Sequence, residues 1–136
     1  MRLVVDASMT MAWYFEDEQT PAALEILRTV SREGAIVPSL WRLEVASALQ
    51  AALQRKRITV EFRDASLHDL GALAIAIDDE TDRYAWTRTL QLADRFGLTV
   101  YDSAYLELAD RLRLPLATLD QPLRLAANAL GAALLG

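Results

Sequence analysis

The 136-residue chain contains no cysteine, and His68 is its only histidine. Disulfide bonds and thiolate metal sites are therefore excluded, and so is a zinc site built from several histidines. Any bound metal ion must use oxygen ligands, which suit Mg²⁺ or Mn²⁺. No G-x-G-x-x-G pattern follows an apolar run, which argues against dinucleotide binding.

The sequence also lacks a long apolar segment. No apolar run approaches the roughly 18 residues that a membrane span needs, and Asp6 interrupts the first run before a secretion signal can form. We therefore expect a cytoplasmic protein with no membrane partner. The net charge of −5 argues against coating nucleic acid by bulk attraction. It is compatible with an enzyme that gathers acids in one pocket and neutralises them with metal.

Short apolar runs that alternate with helical patterns predict an α/β fold. Such runs are typical of strands in a parallel sheet that is covered on both faces. They are Leu3–Val5, Ala35–Val37, Leu73–Ile77, Leu98–Tyr101, Leu116–Leu119 and Ala132–Leu135. Hydrophobic residues make up 53% of the chain, enough for a globular core. We predict one domain over residues 1–136, with a central parallel sheet flanked by helices.

Capping residues mark several helices between these runs. Thr20-Pro21 is typical of a helix start, and Gly34 is typical of its end. The other long helices are predicted at about Leu40–Arg55, Val60–Leu73, Thr81–Phe96 and Pro122–Leu130. A further helix, ending before Pro115, presents a core-facing stripe of Tyr105, Leu108, Ala109 and Leu112.

Three aspartates, Asp6, Asp102 and Asp120, each follow a predicted strand directly. Ligands of open parallel sheets bind at the carboxyl ends of the strands, so neighbouring strands would bring these carboxylates together. Each aspartate alone has a simpler interpretation as the N-cap of the next helix. That interpretation fits Asp120 especially well, because Gln121-Pro122 follows it.

Glu44 is a fourth candidate acid. It lies in the segment PSLWRLEVASALQAAL, which is apolar around most of a helix circumference. A buried, unpaired carboxylate is costly, so Glu44 should be neutralised, paired or bound to a cation. The alternative is a surface position on the narrow polar side of the helix.

Four crowded carboxylates would repel one another unless a divalent cation neutralised them. Mg²⁺ or Mn²⁺ held by such acids can activate water and stabilise charge on a phosphate oxygen, with one ion or with two. Metal-dependent hydrolysis of phosphodiester bonds is therefore the chemistry that this pattern favours.

Three segments together resemble the PIN-domain family, and most closely the VapC-type toxins of bacterial toxin–antitoxin pairs. They are VVDASMTMAWYFEDE, VPSLWRLEVASALQAA and LTVYDSAYLELADRLRLPLATLD. The resemblance implies a compact Rossmann-like fold and a Mg²⁺- or Mn²⁺-dependent endoribonuclease. It assigns the metal-binding catalytic acids to Asp6, Glu44, Asp102 and Asp120. The small hydroxyl residues that accompany these acids are Ser8 and Thr118, expected to support an acid or to contact phosphate.

The resemblance also implies partners. Members of the family cut tRNA or ribosomal RNA, usually form homodimers, and are neutralised by a VapB-type antitoxin. We expect all three for this chain. The alternative is a PIN-like module that has lost catalysis and only binds RNA or protein, although the four intact acids argue against it. A phosphatase of the haloacid-dehalogenase type is disfavoured because Ser8 stands where such enzymes require a second aspartate.

Among the remaining charges, the candidates for a positive rim around an RNA site are Arg28, Arg32, Arg42, Arg55, Lys56, Arg57, Arg111 and Arg113. Solvated surface charge is the simpler interpretation of each. Glu107 is predicted to be a surface charge.

Overall fold

The computed structural model describes residues 1–136, and five short strands form one parallel sheet in it. The strands are β1 (Leu3–Val5), β2 (Ala35–Val37), β3 (Ile75–Ile77), β4 (Leu116–Ala117) and β5 (Leu134–Leu135). Their order across the sheet is β3-β2-β1-β4-β5. In β1, Val4 pairs with Ile36 of β2 on one side and with Leu116 of β4 on the other. β1 and β4 are therefore neighbours at the centre of the sheet.

Eight helices flank the sheet. They are α1 (Ala7–Ala12), α2 (Pro21–Glu33), α3 (Trp41–Gln54), α4 (Val60–Gly71), α5 (Thr81–Tyr84), α6 (Arg88–Phe96), α7 (Val100–Leu112) and α8 (Gln121–Leu130), with a 3₁₀ turn at Glu16–Glu18. This single α/β domain confirms the predicted fold class. None of the helices combines the length and apolarity that a membrane span requires.

The core lies around the central strand. Leu3, Val4 and Val5 are completely buried, as expected for a strand covered on both faces. Helix α7 packs against β1 and buries Tyr105 and Leu106. The core therefore fixes the position of α7 relative to the carboxyl ends of β1 and β4.

The predicted strand at Leu98–Tyr101 is wrong. Thr99 is instead the N-cap of α7, and its hydroxyl accepts a hydrogen bond from the backbone N–H of Asp102 at 3.1 Å. The apolar residues after Thr99 therefore form the first helical turn rather than a strand. The threonine cap, whose hydroxyl satisfies a free N–H of the helix, outweighs the strand preference of a short apolar run.

Other predicted boundaries also differ. Strand β3 begins at Ile75 rather than Leu73, and β5 begins at Leu134 rather than Ala132. The run Leu116–Leu119 contributes only two residues to β4, because Thr118 leaves the sheet to make side-chain contacts. The predicted helix Thr81–Phe96 is divided at Thr87, whose backbone has φ −119° and ψ −95°. This break separates α5 from α6 and leaves Trp86 89% exposed.

Gly34 joins α2 to β2 in a conformation that other residues avoid. Its φ of +80° and ψ of 177° belong to a region used almost only by glycine. A Cβ added there would lie 2.8 Å from the carbonyl oxygen of Ala74. The connection therefore requires both the backbone freedom and the small size of glycine.

We expect Gly34→Ala to lower the free energy of unfolding by about 3 kcal/mol, because backbone strain and a backbone clash add. Gly97→Ala is the control, since Gly97 has φ +65° but open space around a Cβ, and it should cost about 1 kcal/mol. Urea unfolding of both variants measures the difference. Equal losses would show that the Ala74 carbonyl moves away without cost.

Candidate active site

Asp6 is the most deeply buried of the four candidate acids. It follows β1, is the N-cap of α1, and is only 4% exposed. Its Oδ1 accepts hydrogen bonds from the Ser8 hydroxyl at 2.7 Å and the Met9 backbone N–H at 2.9 Å. Its Oδ2 accepts a hydrogen bond from the Thr118 hydroxyl at 2.5 Å. Both carboxylate oxygens are therefore fixed in place before any ligand binds.

The segment after β4 is held against the segment after β1 by the same hydroxyl groups. The backbone N–H of Leu119 donates to Ser8 Oγ at 3.0 Å, and the N–H of Asp120 donates to Thr118 Oγ1 at 3.0 Å. The pairing of β1 with β4 brings these segments side by side. The two predicted hydroxyl residues thus support Asp6 directly and position the turn that carries Asp120.

Glu44 comes from α3 and meets a side chain of α7. It is half-buried, and its Oε1 accepts a hydrogen bond from the Tyr105 hydroxyl at 2.5 Å. The tyrosine ring is buried in the core, so α7 holds one oxygen of Glu44 through a rigid group. The sequence places Tyr105 in a core-facing stripe, and its periodicity contains no signal for this polar contact.

Asp102 and Asp120, the remaining two of the four candidate acids, lie at the N-terminal ends of two helices. Asp102 lies in the first turn of α7, two residues after the helix begins, and is half-buried. Asp120 is the N-cap of α8, where its Oδ2 accepts a hydrogen bond from the Leu123 N–H at 3.0 Å. The capping interpretation therefore holds for Asp6 and Asp120, whereas Thr99 caps the helix of Asp102.

The four acids share one electrostatic environment. Burial raises the pKa of Asp6, and Asp102 raises it further, although hydrogen bonds from Thr118, Met9 and Ser8 oppose the shift. Burial also raises the pKa of Glu44, with added repulsion from Asp102 and Asp6. The pKa of Asp102 is raised by burial and then by Asp120. The fold thus crowds negative charge at one place, which a cation would stabilise.

This donor set fits a hard divalent cation in its chemistry. All the available ligands are carboxylate oxygens, as Mg²⁺ and Mn²⁺ prefer. Burial first, and then repulsion from neighbouring carboxylates, raises the pKa of Asp6, Glu44 and Asp102. The side chains do not yet form a group of three close enough to hold an ion. Binding would therefore draw Glu44, Asp102 and Asp120 toward Asp6, whose oxygens are already fixed.

A second charged cluster was assigned wrongly from the sequence. Glu107, predicted at the surface, is 2% exposed, and Arg111 of the proposed rim is largely buried beside it. Arg111 Nε donates to Glu107 at 2.8 Å, and its Nη2 donates to Asp78 at 2.7 Å. The guanidinium also lies 4.7 Å from the centre of the Tyr84 ring. Arg111 is therefore committed to the core and is not free to bind RNA.

A family model described as PIN domain matches residues 3–128, nearly the whole chain. The chain belongs to the PIN domain family. Ribonuclease VapC3 of Pyrobaculum aerophilum is 32% identical over 124 residues, which cover 90% of this chain and 92% of that protein. These findings confirm the resemblance that the three sequence segments indicate.

Two solved structures share the fold. PAE2754 from Pyrobaculum aerophilum has a TM-score of 0.64 at 26% identity, covering 93% of this chain and 86% of that chain. FitAcB from Neisseria gonorrhoeae has a TM-score of 0.60 at 15% identity, covering 98% and 96%. At that identity FitAcB supports the fold alone.

Removing the charge of Asp102 should stabilise the metal-free protein. Its folded-state pKa lies above the usual 3.8, so the folded chain binds a proton more tightly than the unfolded chain does. The contribution of Asp102 to stability therefore falls as pH rises from 3.8 through the folded-state pKa. We expect Asp102→Asn to melt at a higher temperature than wild type at neutral pH, with the difference vanishing below pH 3.8.

Asp110→Asn is the control for this comparison, because Asp110 lies on the same helix but pairs with Arg88 at 3.6 Å. Melting in EDTA and in Mn²⁺ tests the cation directly. Mn²⁺ should raise the melting temperature of wild type and of Asp110→Asn more than that of Asp102→Asn. An equal response of all three proteins would contradict a cation site at Asp102.

Proposed function

We propose that this chain is a VapC-type endoribonuclease that depends on Mg²⁺ or Mn²⁺ and hydrolyses RNA phosphodiester bonds. The observation that carries the proposal is the convergence of Asp6, Glu44, Asp102 and Asp120, from four separate parts of the chain, on one electrostatic environment. The similarity to Ribonuclease VapC3 supports the same activity class.

The contacts of each acid indicate its role in holding the cation. Asp6 would hold the cation in a fixed position, because Ser8, Met9 and Thr118 orient both of its oxygens. Glu44 and Asp102 would supply further ligands from α3 and α7. A bound divalent ion neutralises the carboxylates, polarises the scissile phosphate and favours deprotonation of the attacking water. A cation bound between Asp6, Glu44 and Asp102 would oppose the upward shift of their pKa values, because it favours the ionised form of each acid.

The biological role that follows is a toxin neutralised by a VapB-type antitoxin, acting in the cytoplasm on tRNA or ribosomal RNA as a homodimer. A cavity of about 630 Å³ offers a place for the antitoxin. Its walls include the aromatic rings of Tyr14, Phe15 and Phe62, the acid Glu16, and Asp17 paired with Arg57. The apolar walls suit aliphatic side chains of a partner segment, and Glu16, which makes no ion pair, suits a basic one. Trp13 and Trp41 are buried in the core and contribute no exposed ring to such a groove.

The competing function is a catalytically silent PIN-like module that only binds RNA or protein. One observation favours it, namely that the acids are not already grouped closely enough to hold an ion. The two functions predict different results when Mg²⁺ or Mn²⁺ is added to the protein and RNA. A ribonuclease cleaves the RNA, and a silent module only binds it.

The deciding experiment incubates labelled RNA of mixed sequence with antitoxin-free protein in EDTA, in Mg²⁺ and in Mn²⁺. A ribonuclease should leave the RNA intact in EDTA and cut it once Mg²⁺ or Mn²⁺ is restored. Binding without cutting in every buffer, across a broad panel of tRNA and ribosomal RNA, would favour the silent module.

The antitoxin is tested by co-expression with the small protein encoded next to this chain in its genome. A complex that co-purifies, and in which RNA cleavage is suppressed, is expected. Light scattering of the purified chain tests the homodimer.

A further inference from the structure

A groove runs between α1 and α3, and its wall includes Ser8, the residue whose hydroxyl holds Asp6. It encloses about 300 Å³, and its walls include Ala7 and Ser8 from α1 and Ala48, Ala51 and Ala52 from α3. The two helices pack together here, and the indole N–H of Trp41 donates to the Thr10 hydroxyl at 3.1 Å. The groove is open because the α3 side chains that face it are single methyl groups.

One end of the groove lies at the acids. Ser8, which forms part of its wall, donates a hydrogen bond to Asp6 at 2.7 Å. Glu44 precedes Ala48 by one helical turn on the same side of α3. A ligand that extends out of the candidate active site along α3 would therefore enter this groove.

The other end of the groove is basic. Arg55 and Arg57 form part of its wall, and Arg55 is the C-cap of α3. Residues 44 and 55 are three helical turns apart, so their Cα atoms are separated by about 16 Å along the axis. Positions 44, 48, 51 and 55 follow the spacing of one helix face. The acids and the basic end thus lie on one continuous track.

The cations at this end are not equivalent. Arg57 is paired, because its Nη2 lies 3.2 Å from Asp17 and 3.7 Å from Glu18, and its guanidinium lies 4.9 Å from the Phe15 ring centre. That pairing also neutralises Glu18, the one acid in the wall of this groove. Arg55 and the adjacent Lys56 are exposed and make no ion pair. The basic end therefore carries uncompensated positive charge.

We propose that Arg55 and Lys56 bind the phosphate backbone of single-stranded RNA, and that the strand follows the α1–α3 groove from there to the acids. The inference rests on the proposed ribonuclease function and adds where the substrate lies. A chain of net charge −5 repels RNA as a whole, so local unpaired cations must supply the attraction. A groove of about 300 Å³ with small alanine side chains between its two ends favours a single strand over a duplex, and arginine contacts phosphate oxygens in a bidentate manner.

The test measures how salt weakens binding of a fluorescein-labelled single-stranded RNA of about a dozen nucleotides. Anisotropy titrations in EDTA, which prevents metal-dependent cleavage, compare wild type with Arg55→Gln and with Arg55→Gln/Lys56→Gln. Arg32→Gln is the matched control. The sequence also made Arg32 a candidate for the positive rim, but the structure places it in the last turn of α2, at the amino end of β2, whereas Asp6 and Asp120 follow the carboxyl ends of β1 and β4. Arg32 is exposed and makes no ion pair.

Each lost phosphate contact should reduce the slope of log affinity against log salt by about 0.7. That change corresponds to about fivefold weaker binding in 0.1 M salt for Arg55→Gln and about 25-fold for the double variant. In Mg²⁺, Arg55→Gln should raise KM more than it lowers kcat. Arg32→Gln should match wild type in every measurement.

Three results would overturn the inference. Cleavage by wild type with unchanged salt slopes in both variants would place the RNA elsewhere and leave the ribonuclease function standing. Unchanged slopes together with weaker binding of a VapB-type antitoxin would assign the basic end to a protein partner. Wild type that cleaves no RNA in Mg²⁺ or Mn²⁺ would refute the proposed function, and the inference with it.

Discussion

Asp102→Asn should reduce Mg²⁺-dependent RNA cleavage by at least about a thousandfold, because removing a ligand of a catalytic cation forfeits several kcal/mol of transition-state stabilisation. The substitution keeps the size and helical position of the side chain, and Thr99 rather than Asp102 caps α7. The fold should therefore survive. Initial rates on labelled RNA in saturating Mg²⁺, with circular dichroism of the same samples, measure both effects.

Asp110→Asn is the matched control, since it removes one carboxylate from the same helix. Asp110 contacts Arg88 and Arg113, not the four acids, and it should retain cleavage within about twofold. If Asp102→Asn cleaved RNA at the wild-type rate, the proposed roles of the acids would be wrong. If both variants lost activity equally, the loss would come from a less stable α7 and not from a missing metal ligand.

The same substitution at the other acids carries different structural costs. Asp6 and Asp120 both cap helices, through the N–H groups of Met9 and Leu123. Replacing a cap by alanine costs about 1 kcal/mol, while asparagine preserves it. Asparagine variants are therefore the informative ones at these two positions, because alanine variants would combine loss of catalysis with loss of stability.

Arg111→Met should lower the free energy of unfolding by about 3–5 kcal/mol, the typical cost of breaking a buried ion pair from one side. The change would leave Glu107 and Asp78 buried without their shared cation. Methionine fills most of the space of the arginine stem, so the loss reflects charge rather than a cavity. Urea unfolding measures it.

The loss of stability in Arg111→Met should also depend on pH. Burial alone would raise the pKa of Asp78, but hydrogen bonds from Arg111 and Thr81 outweigh it and lower the pKa below 3.8. Asp78 therefore stabilises wild type above pH 3.8, and this contribution is lost as pH falls through the lower folded-state pKa. In Arg111→Met the contribution disappears, so the difference between the two proteins should shrink in acid.

Arg113→Met provides the control two residues away. Arg113 is 88% exposed and approaches Asp110 only at 3.9 Å, so its loss should change stability by less than about 0.5 kcal/mol. A small loss at position 111, equal to that at position 113, would show that water replaces the guanidinium at the buried acids.

The local chemistry of the chain was sufficient to predict much of the fold. β1 and β2 have the predicted bounds, and α2 begins after Thr20 and ends before Gly34 as predicted. These elements are specified by residues within them, through apolar runs, a threonine cap and a glycine stop. The error at Leu98–Tyr101 arose where two local signals conflicted, because a strand-like run followed a capping threonine.

The location of charge could not be predicted in the same way. Glu107 and Arg111 have the spacing of an exposed helical pair, and the sequence does not show that Asp78 and Tyr84 lie against them. Tyr105 likewise reads as core, which is correct for its ring but misses the hydroxyl that reaches Glu44. A polar atom can be buried only if another helix, strand or loop supplies its hydrogen-bond or ion-pair partner. The periodicity of one helix therefore does not predict such burial.

The sequence by itself limited the ligands that a metal ion could find here, since a chain with no cysteine and one histidine leaves carboxylates as the available donors. It also determined the α/β class and the PIN family resemblance. Only the tertiary structure decided that Asp6 is held by Ser8 and Thr118, that Tyr105 meets Glu44, and that Arg111 is buried while Arg55 stays free. Those contacts join residues far apart in the chain, and parallel strand order and helix packing bring them together.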